Sequence, residues 1–151
     1  MSARFHGIMS LTLVAVTVII AALVLAQVTC GWAVGYLLLC VAGGSAILYA
    51  CCAKCPCKTC CEHVLPGNLA GQFPRKPGPY SAIELAGVII AGLLILGLPQ
   101  LWLWRSLVAG IVFWVLNTIA FVQILLGVCS ACANSHCPIG KMRAPHVGHQ
   151  M

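Results

Sequence analysis

The sequence predicts an all-α membrane protein, with four transmembrane helices laid out as two consecutive hairpins, each followed by a cytoplasmic cysteine triplet. Three observations predict it. The chain of 151 residues is 62% hydrophobic and only 7% charged, with mean hydropathy +1.04, and a soluble domain of this size cannot bury so much apolar surface. Four apolar runs are each long enough to cross a hydrocarbon core about 30 Å thick at about 1.5 Å per helical residue. The spacing Cys-x-x-Cys-x-x-x-x-Cys occurs twice, as Cys52, Cys55, Cys60 and as Cys129, Cys132, Cys137, each time where an apolar run ends.

The whole chain, 1–151, reads as one membrane domain. The first span is placed at 8–28 and the second at 32–51. So little chain separates them that a tight turn must join them, with Gly31 supplying the permissive backbone. A long connection follows at 52–80, first Cys-rich, then holding Pro66, Pro74, Pro77 and Pro79, which disfavour helix. The third span is placed at 81–99 and the fourth at 104–128. Pro99 is expected to end the third helix, and Trp102 and Trp104 suit the lipid headgroup level. The tail 129–151 carries the second triplet and then His146 and His149 in a polar segment. The first span is longer than a signal-peptide apolar region and is followed at once by another, so it is read as an uncleaved anchor. Two hairpins with a triplet after each suggest an internal repeat, its halves related by an axis along the membrane normal.

Charge sets the orientation. Arg4, Lys54, Lys58, Arg75, Lys76, Lys141 and Arg143 all flank one end of the predicted spans, and Arg105 alone flanks the other. By the positive-inside rule both termini, the 52–80 connection and both triplets are cytoplasmic in the cell membrane. The net charge of +6 is then set against anionic lipid headgroups. No basic stripe interleaved with aromatics suggests a nucleic-acid partner.

That placement governs the reading of the 11 cysteines. Cytoplasmic thiols stay reduced, so clustered Cys there point to metal or redox chemistry, whereas the inverted orientation would favour disulfides. The six triplet cysteines, Cys52, Cys55, Cys60, Cys129, Cys132 and Cys137, are the candidate metal ligands, with Cys51, Cys57, Cys61, His63 and His136 as possible additional ligands. Either each triplet closes its own site or the two converge on a shared one. Thiolate surroundings favour an iron-sulfur cluster, zinc or cuprous copper, and the Cys-Pro steps Cys55-Pro56 and Cys137-Pro138 lean toward iron-sulfur. Lys54 and Lys58 are expected to lower neighbouring thiol pKa values. Membrane-proximal cysteines are also sites of palmitoylation, which suits Cys51, Cys52, Cys60 and Cys61. Cys30 and Cys40 lie outside the pattern and read as small apolar core residues.

The spans exclude several chemistries. None of the five histidines lies inside a span, which argues against a haem held between helices. The two carboxylates are Glu62 and Glu84, and Glu84 starts the third span, so no acidic relay crosses the bilayer. Gln27, Asn117, Thr118 and Gln123 are expected to bond between helices, and Gly31 with Gly35, Gly43 with Gly44, and Gly87 with Ala91 to allow close helix contact. No nucleotide-binding loop or catalytic triad can be assembled, so a non-enzymatic role is expected.

Small mercuric-ion transport proteins also combine few spans with Cys pairs. The paired triplets and Pro-rich connection do not map onto that pattern, so no residue is carried over. The reading that follows is a small integral membrane metal-binding protein, an accessory electron-transfer subunit holding an iron-sulfur centre or a structural zinc and working with a protein partner or larger membrane complex. A soft-metal carrier of copper, zinc or mercury and a palmitoylated or zinc-stabilised scaffold subunit are the alternatives.

Overall fold

A computed structural model of the chain describes residues 3–54, 69–73, 76 and 78–129. The described residues are helical apart from turns and short connections. The long elements are α1 (Ala3–Ala26), α2 (Cys30–Ala50), α3 (Ala82–Gly97), followed by a one-turn α4 (Gln100–Leu103), and α5 (Leu107–Gln123). A 3-10 turn, Cys52–Lys54, extends α2, and a π-helical segment, Ile124–Val128, extends α5. Four stretches are long and apolar enough to cross a membrane: Phe5–Ala26, Cys30–Lys54, Ala82–Leu103 and Leu107–Gly127.

Local chemistry sets several of the boundaries. Ser81 caps α3 through a capping box: its hydroxyl accepts from the Glu84 amide (3.3 Å), and the Glu84 carboxylate accepts from the Ser81 amide (2.8 Å). Ser106 caps α5 by accepting from the Ala109 amide at 3.4 Å. The α1–α2 turn uses Gln27, Val28 and Thr29, closed by amides of Val28 and Thr29 donating to the Leu25 carbonyl. Gly31 lies within the first turn of α2 with no left-handed backbone angle, so this reversal does not draw on glycine.

Pro99 behaves differently from expectation. Leu98 and Pro99 keep right-handed helical angles, and the chain continues through α4 to Leu103 before reversing at Trp104–Ser106. Proline lacks an amide to donate, so the hydrogen-bond ladder is interrupted there, but its fixed φ of −66° suits the start of the next helical turn. The buried Pro99 thus sits inside the third span.

Packing follows the order α3, α2, α1, α5. The first pair of helices lies at the centre, with α3 against α2 and α5 against α1, while α3 and α5 have little contact with each other. The inward stripe of α1 is Gly7, Ser10, Thr17, Ala21 and Leu25, at helical spacing. Its small members let neighbouring backbones come close. Ser10 and Thr17 donate their hydroxyls to the Gly7 and Val14 carbonyls of their own helix (3.0 and 2.8 Å), so they can be buried without a partner on another helix. The main core joins Ala21 and Leu25 of α1, Ala33 and Tyr36 of α2, Leu103, and Phe113 of α5. It lies toward the end of the bundle that carries the two short turns.

Cross-helix polar bonds use residues that hydropathy hides. Tyr36 donates its hydroxyl to the Ile95 carbonyl (3.2 Å), and the Trp114 indole donates to the Gln100 side chain (3.0 Å). Asn117, expected to bond across helices, instead donates to the Phe113 carbonyl of its own helix (2.8 Å). Gln27 is exposed in the turn beyond α1, and the Gln123 side-chain oxygen is buried with no hydrogen-bond partner among the described residues. The predicted small-residue contacts are realised at Gly43, which faces Ala91 and Ile95, but not at Gly35, Gly44 or Gly87, beside which there is open space.

Candidate functional site

The chain alternates between two ends of the bundle, so the 3-10 turn after α2, the start of α3, the start of α1 and the end of α5 share one end. Two contacts tie this end together. The Lys54 ammonium meets the Glu84 carboxylate at 2.6 Å, joining the end of α2 to the start of α3. Gly127, in the π-helical segment, is pressed against His6 of α1: a Cβ added there would fall 2.6 Å from the His6 Cβ and Cγ.

Cys52 opens the 3-10 turn, and Cys129 follows the π-helical segment, its amide donating to the Ile124 carbonyl. The first cysteine of each triplet is therefore carried at the same end of the molecule. Both are half-buried, as is Cys51 at the end of α2. The Cys51 amide donates to the Ile47 carbonyl, and the Cys51 carbonyl accepts from the Tyr80 hydroxyl at 3.3 Å. Ala53, between Cys52 and Lys54, is fully buried. Tyr49 and Phe73 meet edge to face at 5.6 Å beside this turn, bringing part of the connecting loop back onto α2.

The expected electrostatic role of Lys54 is not what the geometry supports. Its ammonium is taken up by Glu84 and by the Pro79 carbonyl (3.1 Å), both on the α3 side. A cation neutralised by a carboxylate at 2.6 Å offers little net field to a thiol. Glu84 combines two roles that the sequence suggested only in part, capping α3 by accepting from the Ser81 amide and pairing with Lys54.

Of the remaining candidate ligands, Cys55, Cys57, Cys60, Cys61, His63, Cys132, His136 and Cys137 lie outside the described residues. Among the described residues, no three His, Cys, Asp or Glu side chains come together in a metal-holding group. The structure thus brings two triplet cysteines to one end of the protein, with Cys51 next to Cys52, and among the described residues they do not form a three-ligand group. Cys30 and Cys40 part company: Cys40 packs against the core near Tyr36, whereas Cys30 is exposed at the first residue of α2, at the opposite end. No protein-family model, curated protein or solved structure matches the chain.

Proposed function

We propose that the chain is a small integral membrane metal-binding protein, in which Cys52, Cys55, Cys60, Cys129, Cys132 and Cys137 hold a soft metal at the cytoplasmic face of the cell membrane. The reading makes it an accessory electron-transfer subunit with an iron-sulfur centre, or with a structural zinc in its place, working beside a partner protein. One observation carries it: a six-cysteine repeat whose two copies begin, at Cys52 and Cys129, on the same end of a four-helix membrane bundle. Thiolates supplied from two directions are a suitable ligand set for iron-sulfur, zinc or cuprous ion. Cys51, Cys57, Cys61, His63 or His136 would complete the coordination. A single shared centre is the form we favour, because Cys52 and Cys129 are carried at the same end by the extensions of α2 and α5, the two helices that flank α1.

A carrier that passes metal across the bilayer fits less well. Cys30 and Cys40 are ten residues apart on α2, about 15 Å of axial rise, and no described residue supplies an intermediate ligand between them. Acylation is the stronger competitor, since adjacent half-buried Cys51 and Cys52 at the end of an apolar helix suit S-palmitoylation.

The deciding experiment is anaerobic purification of the full chain in detergent, with iron, acid-labile sulfide and zinc measured alongside the visible and reduced-state EPR spectra. Iron and sulfide in stoichiometric amounts, lost in Cys55→Ser and Cys132→Ser alike, support the shared redox centre. Zinc alone removes the electron-transfer role. A metal-free protein with acyl groups on Cys51 and Cys52 by mass spectrometry overturns the proposal.

A further inference from the structure

At the end of the bundle opposite the cysteines, the α1–α2 turn and the α4–α5 turn enclose a cleft of about 420 Å³. Gln27 and Val28 form one side, Trp102, Arg105 and Ser106 another, and Ala109 of α5 the floor. We infer that this cleft binds the phosphate group of a phospholipid, with Arg105 as its principal ligand.

The argument begins with charge. The chain has only two carboxylates. Glu84, the one carboxylate among the described residues, is bonded to Lys54 and Ser81 at the cysteine-bearing end, with the length of the helices between it and Arg105. Among the described residues no carboxylate pairs with Arg105, and it is the only Lys or Arg between Lys76 and Lys141. An anion from outside the chain is a natural partner for it.

The surroundings of Arg105 identify the anion. Trp32 and Trp102 pack against each other beside the cleft, their rings 4.8 Å apart and tilted by 47°, and Trp104 is exposed next to Arg105. Indoles at a helix end mark the headgroup level of the bilayer. A guanidinium fork matches two phosphate oxygens at once. The Gln27 amide offers further donors, and the first amides of α5 bring the positive end of a full-length helix to the same place. The other walls are apolar, Val24, Val28 and Ala109, and Val108 beside them on α5 is exposed. A free phosphate would use only the polar half of this cleft. A phospholipid uses both halves, its phosphate at Arg105 and its glycerol and first methylenes against the valines. The inference is independent of any metal at the other end.

Native mass spectrometry of the full chain in detergent tests it, by titration with a short-chain phosphatidylglycerol, with the corresponding diacylglycerol and with inorganic phosphate. Cations at the cysteine-bearing end also attract anionic lipid, so the readout is the Arg105-dependent difference. The expected result is one retained phosphatidylglycerol whose affinity falls about tenfold in Arg105→Gln, corresponding to one charge-assisted contact. Gln27→Leu should weaken it less, and both variants should keep the helical circular dichroism of the parent. Equal binding by Arg105→Gln and Gln27→Leu and by the parent overturns the proposal. So does equal retention of diacylglycerol, which reduces the cleft to an apolar groove, or saturation by inorganic phosphate that displaces the lipid, which makes it a free-anion site.

Discussion

The two ends of the bundle are held by different physics. At the end with the short turns, Leu25, Tyr36, Leu103 and Phe113 are almost completely buried, Trp32 packs against Trp102, and two tight reversals bring the helices together. At the cysteine-bearing end, the contacts are a Lys54–Glu84 ion pair, a capping box, a Tyr80 hydroxyl on the Cys51 carbonyl and the approach of Gly127 to His6. Shape complementarity closes one end, and a few polar bonds and small residues position the other. The difference teaches where each kind of substitution should act. In a bilayer, where lipid is as apolar as a leucine, packed side chains stabilise through fit rather than through escape from water.

The largest expected effect is at the packed end. Phe113→Ala removes a ring at the centre of the core and should cost about 3 kcal/mol of stability, read as unfolding in mixed micelles. If this variant were as stable as the parent, the packed-end description would fail. At the other end, Gly127→Ala puts a methyl against the backbone-proximal Cβ of His6, which cannot swing aside, and should cost about 2 kcal/mol. Gly43→Ala is its comparison: the nearest atom is the terminal methyl of Ile95 at 2.9 Å, which can turn away, so its loss should stay under about 1 kcal/mol. Thermal denaturation of the two variants side by side measures the contrast.

Glu84→Ala breaks the ion pair and half of the capping box together. It should cost about 1 kcal/mol and should speed amide hydrogen exchange in the first turn of α3 and in the 52–54 turn, leaving the Leu103 and Phe113 region protected. Exchange that rose equally at both ends would show that they unfold as one unit. The smallest effect is expected for Trp114→Phe, which keeps the ring but deletes the indole donor to Gln100. About 0.6 kcal/mol is the typical worth of such a bond between membrane helices, and a double-mutant cycle with Gln100→Leu isolates it.

A third comparison lies between the two predicted helix pairs. Their similarity in sequence is limited to the triplets, and their packing differs: α1 and α2 pack on each other, whereas α3 packs on α2, α5 packs on α1, and α3 and α5 have little contact. Between the latter two, Val14, Leu96, Trp114, Asn117 and Phe121 line a crevice of about 280 Å³. Residues that looked alike in hydropathy therefore have different neighbours. Gly43 meets Ile95 across a helix contact, while Gly87, part of an equally suggestive small-residue pair, faces open space.

What the sequence by itself determined is the number of helices long and apolar enough to cross a membrane, because length and hydropathy are enough to identify them. It also determined the helix-starting character of Glu84, since a Ser three residues before a Glu is a local signal complete in four residues. The tertiary structure alone decided that Pro99 continues rather than ends its helical path, because the cost of a missing amide depends on what packs around it. It alone decided that Lys54 serves Glu84, and that Tyr36 and Trp114 rather than Asn117 carry cross-helix bonds. Those choices depend on which helices become neighbours. Nearly every helix in this chain is apolar all round, so periodicity leaves the neighbours open, and the positions of a few small and polar side chains settle them.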